Sequence, residues 1–118
     1  MQSDLRWQFS EVSGPATRTL DAWSVYEVSK SGTEGPWTAH LTGFSRDGCR
    51  GRVSTAIVRF DLSARRVLTA SGRVYELAGR PGFNADALAI WGSWKHRNGV
   101  LLERDITLEV NGHMFEAG

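Results

Sequence analysis

Glu103 and Asp105 stand two apart in LLERDITLEV, a spacing that on one strand projects both carboxylates from the same face. Such a pair suits a general acid and base. The surrounding sequence supplies no third polar group for a site of that kind, and Arg97 and Arg104 mark the region as charged surface. His40, His96, His113 and Cys49 are metal-ligating residue types, yet no two of them have the spacing with which one turn or helix grips zinc. Neither a metal nor another cofactor is expected. The phosphate-loop, GxGxxG, HExxH and GxSxG patterns do not occur, which points away from an enzyme.

The arginines offer a different chemistry. Between Arg46 and Arg80 lie eight of them, Arg46, Arg50, Arg52, Arg59, Arg65, Arg66, Arg73 and Arg80, against Asp47, Asp61 and Glu76, a local balance of +5. The rest of the chain carries −4, so a formal net charge of +1 conceals a basic middle between acidic flanks. Arginine outnumbers lysine twelve to two, and its planar fork grips carboxylates and phosphates through two parallel hydrogen bonds. Five tryptophans are many for 118 residues, and Trp91 and Trp94 are three apart, so one of the two is expected to stay partly exposed beside arginine. The candidate binding residues are therefore Arg46, Arg50, Arg52, Arg59, Arg73, Arg80, Tyr75, Trp91 and Trp94.

The elements that must position these residues are mostly strands. Ser54 to Gly82 reads as a three-stranded meander, with Val58 and Phe60 sharing one face of its first strand and glycine with proline closing the last. Leu5, Trp7 and Phe9 alternate with polar residues, Trp23 to Val28 is aromatic and β-branched, and Trp37, Ala39 and Leu41 line one face of a further strand with His40 pointing outward. Residues 84–97 carry helix signals: Asn84 as cap, Asp86 in the first turn, Phe83 stapling onto Leu88, Lys95 to Arg97 in the last turn and Gly99 beyond. Gly92 inside this segment keeps a strand as its alternative. Val100 to Glu103 and then Ile106, Leu108 and Val110 alternate as strands, and Asn111 with Gly112 predicts a hairpin returning through His113 to Phe115. The expected fold is α+β, a curved antiparallel sheet of six to eight strands with one packed helix, in a single domain spanning residues 1–118; a small all-β barrel is the alternative.

SGRVYELAGRPG, residues 71–82, resembles a segment of small uncharacterised bacterial proteins, and the likeness extends to the pair Trp91 and Trp94. The resemblance implies no function.

An apolar fraction of 41% with 23% charged residues is that of a globular chain, and its longest apolar runs are far too short to span a membrane. MQSDLRWQFS lacks a basic stretch followed by an apolar run, so no leader is expected. The lone Cys49 cannot form an internal disulfide and suits a reducing cytoplasm. The reading that joins these features is a non-enzymatic protein-interaction module, an inhibitor or adaptor whose arginine-rich face meets an acidic protein. The second reading is a nucleic-acid-binding sheet with Tyr75 or a tryptophan stacked on bases. The third is a small-molecule binder or enzyme. Homodimerisation through an open sheet edge or the aromatic helix face is compatible with each.

Overall fold

The computed structural model describes residues 8–32 and 35–117, with side chains described for residues 10–32 and 35–112. The meander forms where its turn chemistry places it. β5 (Ile57–Asp61), β6 (Arg66–Thr69) and β7 (Val74–Leu77) pair antiparallel in succession. Asp61 builds the first turn: its Oδ1 accepts from the Ala64 N–H and the Ser63 hydroxyl at 3.2 Å each, while Arg65 takes a left-handed φ of 58°. Its Oδ2 accepts the Val12 N–H at 2.9 Å, and that bond, with those of the turn, holds the carboxyl below the usual carboxylate range.

The remaining strands assemble around one long segment. β2 (Arg18–Ser29) pairs antiparallel with β3 (Trp37–Ser45), which pairs antiparallel with β4 (Arg50–Val53). On its other edge β2 has two partners in turn, β7 in parallel along residues 18–20 and β8 (Leu102–Asp105) antiparallel along residues 26–29. Between them the register shifts from Asp21 to Ser24, with Ala22 at φ 47°. The bulge turns Leu20, Trp23 and Val25 toward the same core. β1 (Gln8–Phe9) runs parallel to β5, so the order is β1-β5-β6-β7-β2-β3-β4, with β8 joined to β2. The sheet is mixed rather than antiparallel, because β1 and β2 enter alongside meander strands that run in their own direction. β1 and β4 are its ends, and it does not close into a barrel. Of the strand expected around Leu5, Trp7 and Phe9, Leu5 and Trp7 lie outside the described residues.

The core gathers Leu20, Trp23, Val25, Leu41, Phe60, Val67, Tyr75 and Leu77. Burial at this scale supplies the main force holding the strands together, at about 25 cal/mol per Å² of apolar surface. Val58 departs from expectation: it is exposed and Phe60 buried, because a register shift between Ile57 and Arg59 breaks the alternation.

The helix α1 (Ala85–Arg97) forms on the predicted signals. The Asn84 side chain accepts the Ala87 N–H at 3.0 Å, and Gly99 ends the segment at φ 64°. α1 lies across β4 and β3, and a Cβ on Gly51 would stand 2.5 Å from the Ala87 nitrogen. Only glycine admits the helix so close. The hydrophobic staple does not form as a buried contact, since Phe83 is 72% exposed and Leu88 40%.

The expected hairpin after Glu103 is replaced by a second helix, α2 (Thr107–Ala117). Ile106 and Val110, four apart, are buried, Leu108 between them is 83% exposed, and the Val110 N–H donates to the Ile106 carbonyl. That is helical and not strand spacing. Asp105 Oδ1 accepts the Thr107 N–H at 2.9 Å and turns the chain out of β8. Asn111 and Gly112 consequently lie within a helix, and no strand returns through residues 113–115.

Candidate functional site

β2 and β3 show their second face to α1, and its residues differ in kind from the core. Tyr26 lies opposite His40, and Ser24 opposite Thr42. The helix adds Trp91 and Trp94, building a ladder of rings: Tyr26 stacks on Trp91 at 4.8 Å, Trp91 on Trp94 at 5.3 Å, and Trp94 meets His40 at 4.5 Å. Stacked pairs of this kind contribute about 0.5–1.5 kcal/mol beyond their burial. Trp91 is 3% exposed and donates Nε1–H to Glu103 Oε1 at 3.3 Å; Lys95 pairs with the same carboxylate and stands over the Trp91 ring. These bonds tie α1 to β8.

His40 corrects an expectation. It is 5% exposed rather than outward, because α1 covers this face of β3. Its Nδ1–H donates to the Ser54 carbonyl at 2.9 Å, and Nε2 accepts from the Thr38 hydroxyl at 2.8 Å. Burial holds its pKa below the ordinary histidine value. Both nitrogens are spent on the fold.

A cleft of about 180 Å³ opens where α1, β2, β3 and β8 meet. Ser24, Tyr26 and Thr42 form its floor, Asn84, Ala87 and Leu88 one wall, Asp105 the other, and Phe83 its rim. Ser24 donates to the Gly82 carbonyl. Thr42 is 4% exposed and its hydroxyl makes no hydrogen bond among the described residues; nor does the Tyr26 hydroxyl. Burial raises the Tyr26 phenol above its ordinary pKa, and the charges of Asp105 and Glu103 raise it further. The cleft therefore holds one carboxylate, Asp105, and hydroxyls without a hydrogen-bond partner among the described residues. A larger hollow of about 480 Å³ lies beside Asp61, whose carboxylate already accepts from Val12, Ser63 and Ala64.

The arginines are dispersed over several elements. Arg46 forms a two-bond ion pair with Asp21 at 2.6 and 2.7 Å, which lowers the Asp21 pKa. Arg52 donates from Nε to the Tyr75 hydroxyl at 3.2 Å. Arg65 donates to the carbonyls of Leu77 and Gly79, and Arg66 to that of Gly14. Arg59 is half-buried in β5, its Nε without a hydrogen bond among the described residues. Arg50, Arg73 and Arg80 are exposed and make no ion pair among the described residues; Arg73 and Arg80 flank opposite ends of β7. Tyr75 is 1% exposed, which corrects its place among surface binding residues: a ring in the core cannot stack on a base. Trp91 is likewise buried, and Trp94 half-buried.

Glu103 and Asp105 have separate partners: Glu103 binds Trp91 and Lys95, and Asp105 turns the chain into α2. Cys49 is exposed in the β3–β4 turn at φ 52°. The sequence reading missed Thr42 and the α1–β8 cleft. The available signal was a threonine two residues after His40 on the same face of one strand. No protein-family model, curated protein or solved structure matches this chain.

Proposed function

We propose that this chain is a non-enzymatic protein-interaction module whose contact surface centres on Arg80, Phe83 and the first turns of α1. The observation that carries the reading is Phe83: an aromatic ring 72% exposed at the rim of a cleft, with Leu88 40% exposed beside it. Aromatic residues next to arginine and next to a small pocket are what protein interfaces use as anchors. Arg80 is exposed three residues before Phe83 and supplies a charge for an acidic group on the partner.

A curved sheet belongs to the same reading. β4 and β5 are separated by five strand steps in the sheet order, about 24 Å if flat, whereas residues 54–56 bridge at most about 15 Å. Curvature brings the two ends near each other and leaves α1 standing proud on the convex side.

Affinity capture from cells with and without nuclease tests the proposal. A protein retained by the wild-type chain after nuclease treatment, and lost on Phe83→Ala or Arg80→Glu but kept on Arg73→Glu, is the expected result. Capture that vanishes with nuclease, or that ignores Phe83, defeats it.

A further inference from the structure

We infer that the α1–β8 cleft is a receptor for the ammonium group of a lysine side chain on the partner protein, an inference that rests on the interaction reading above. An ammonium carries three N–H donors and no acceptor. Three groups that line the cleft keep acceptor capacity unused. Thr42 Oγ1 sits on the floor of the cleft on a residue 96% enclosed, without a hydrogen-bond partner among the described residues. Tyr26 Oη is the second, likewise unpaired. The Asp105 carboxylate is the third, with only Oδ1 engaged by the Thr107 N–H.

Charge selects a cation. Glu103 lies on the same strand as Asp105, Lys95 is paired to Glu103, and Arg104 points to Glu27 and packs on Trp37. No cationic side chain among the described residues lines the cleft. Size selects one side chain: about 180 Å³ corresponds to about six water molecules, well below the roughly 300 Å³ at which drug-sized ligand pockets begin. The apolar wall of Ala87, Leu88 and Phe83 suits the four-carbon stem of lysine, which packs along apolar surface while its head stays hydrated or paired. The exposed Phe83 extends that wall outside the cleft, where a polypeptide and not a free amine would cover it.

The test is an amide-resolved NMR titration of the intact chain with three probes: Nα-acetyl-lysine methylamide, Nα-acetyl-norleucine methylamide and n-butylamine. Saturable shifts at Thr42, Leu88 and Asp105 are expected with the lysine derivative, weaker ones with butylamine, and none with norleucine. Asp105→Asn, which retains an oxygen for the Thr107 N–H, is expected to weaken the lysine derivative roughly tenfold, and Thr42→Val severalfold. Absence of saturable shifts, equal binding of the norleucine derivative, or indifference to Asp105→Asn overturns the proposal. Butylamine binding as tightly as the lysine derivative also overturns it, in favour of a free-amine site. The two readings separate cleanly: a captured partner lost on Phe83→Ala but retained on Asp105→Asn keeps the interaction module and removes the lysine receptor.

Discussion

The two faces of the β2–β3 ladder solve the same burial problem with different materials. On one face Trp23, Val25 and Leu41 meet Phe60, Val67, Tyr75 and Leu77, and the polar atom of Trp23 is spent at once on the Gly79 carbonyl at 3.1 Å. On the other, Tyr26, Trp91 and Trp94 stack in series with His40 tilted against the last, and the hydroxyls of Thr42 and Tyr26 have no hydrogen-bond partner among the described residues. The first face is closed by strands of the same sheet together with Ile106 and Val110 of the C-terminal segment. The second is covered by a single helix, α1, whose Trp91 and Trp94 meet Tyr26 and His40 and whose first turn approaches the neighbouring β4 at Gly51. A face covered by one helix opens at that helix's edge, and there the candidate site lies.

The contrast is sharpest under truncation. Trp23→Ala is expected to cost about 3–5 kcal/mol, because it removes a fully buried ring from the core, and with it the indole hydrogen bond to the Gly79 carbonyl. The same change at half-buried Trp94 costs less. Urea unfolding curves of the two variants measure both, and equal losses would show that the faces are not distinct.

Gly51→Ala tests whether the helix face can fail alone. The added methyl group would meet the backbone of Asp86 and Ala87 at about 2.5 Å, which forces α1 to lift and costs roughly 1–3 kcal/mol. Hydrogen exchange should quicken in α1 and leave the Val25 and Leu41 amides protected. If those core amides lose protection to the same degree, the layers unfold as one unit.

The smallest effect is the pH dependence of the helix face. His40 has a folded pKa depressed by burial, so below the unfolded value of 6.5 the unfolded chain takes up a proton that the folded chain refuses. Stability therefore falls as the pH drops below 6.5, until the folded His40 itself titrates. Asp61 has a lowered pKa and acts in a separate window, its contribution being lost below 3.8. Unfolding midpoints measured between pH 7 and pH 5, compared with those of His40→Gln, isolate the histidine; an unchanged slope in the variant would refute this assignment.

Much of the architecture was readable from local chemistry. The meander and α1 announce themselves because their signals are contiguous: Asp61 and Ser63 in a turn, Asn84 at a cap, Gly99 at a stop. The C-terminal segment misleads for a physical reason. Ile106, Leu108 and Val110 alternate as in a strand, but the core needs only the first and third, and a spacing of four serves a helix as well as alternation serves a sheet. The parallel pairing of β7 with β2 was not legible either, because it joins residues more than fifty positions apart. The candidate site suffered most. Its residues come from β2, β3, α1 and β8, and the arginines that dominate the composition proved in several cases to be staples on carbonyls and on Tyr75.

Thr107 carries one further consequence. Its hydroxyl accepts the Val25 N–H at 2.9 Å and lies 3.3 Å from the Val25 carbonyl, standing in for a neighbouring strand at the bulged centre of β2. Val25 thus obtains its partner from a residue 82 positions downstream, and the centre of β2 completes its hydrogen bonding only when the C-terminal segment folds back onto it.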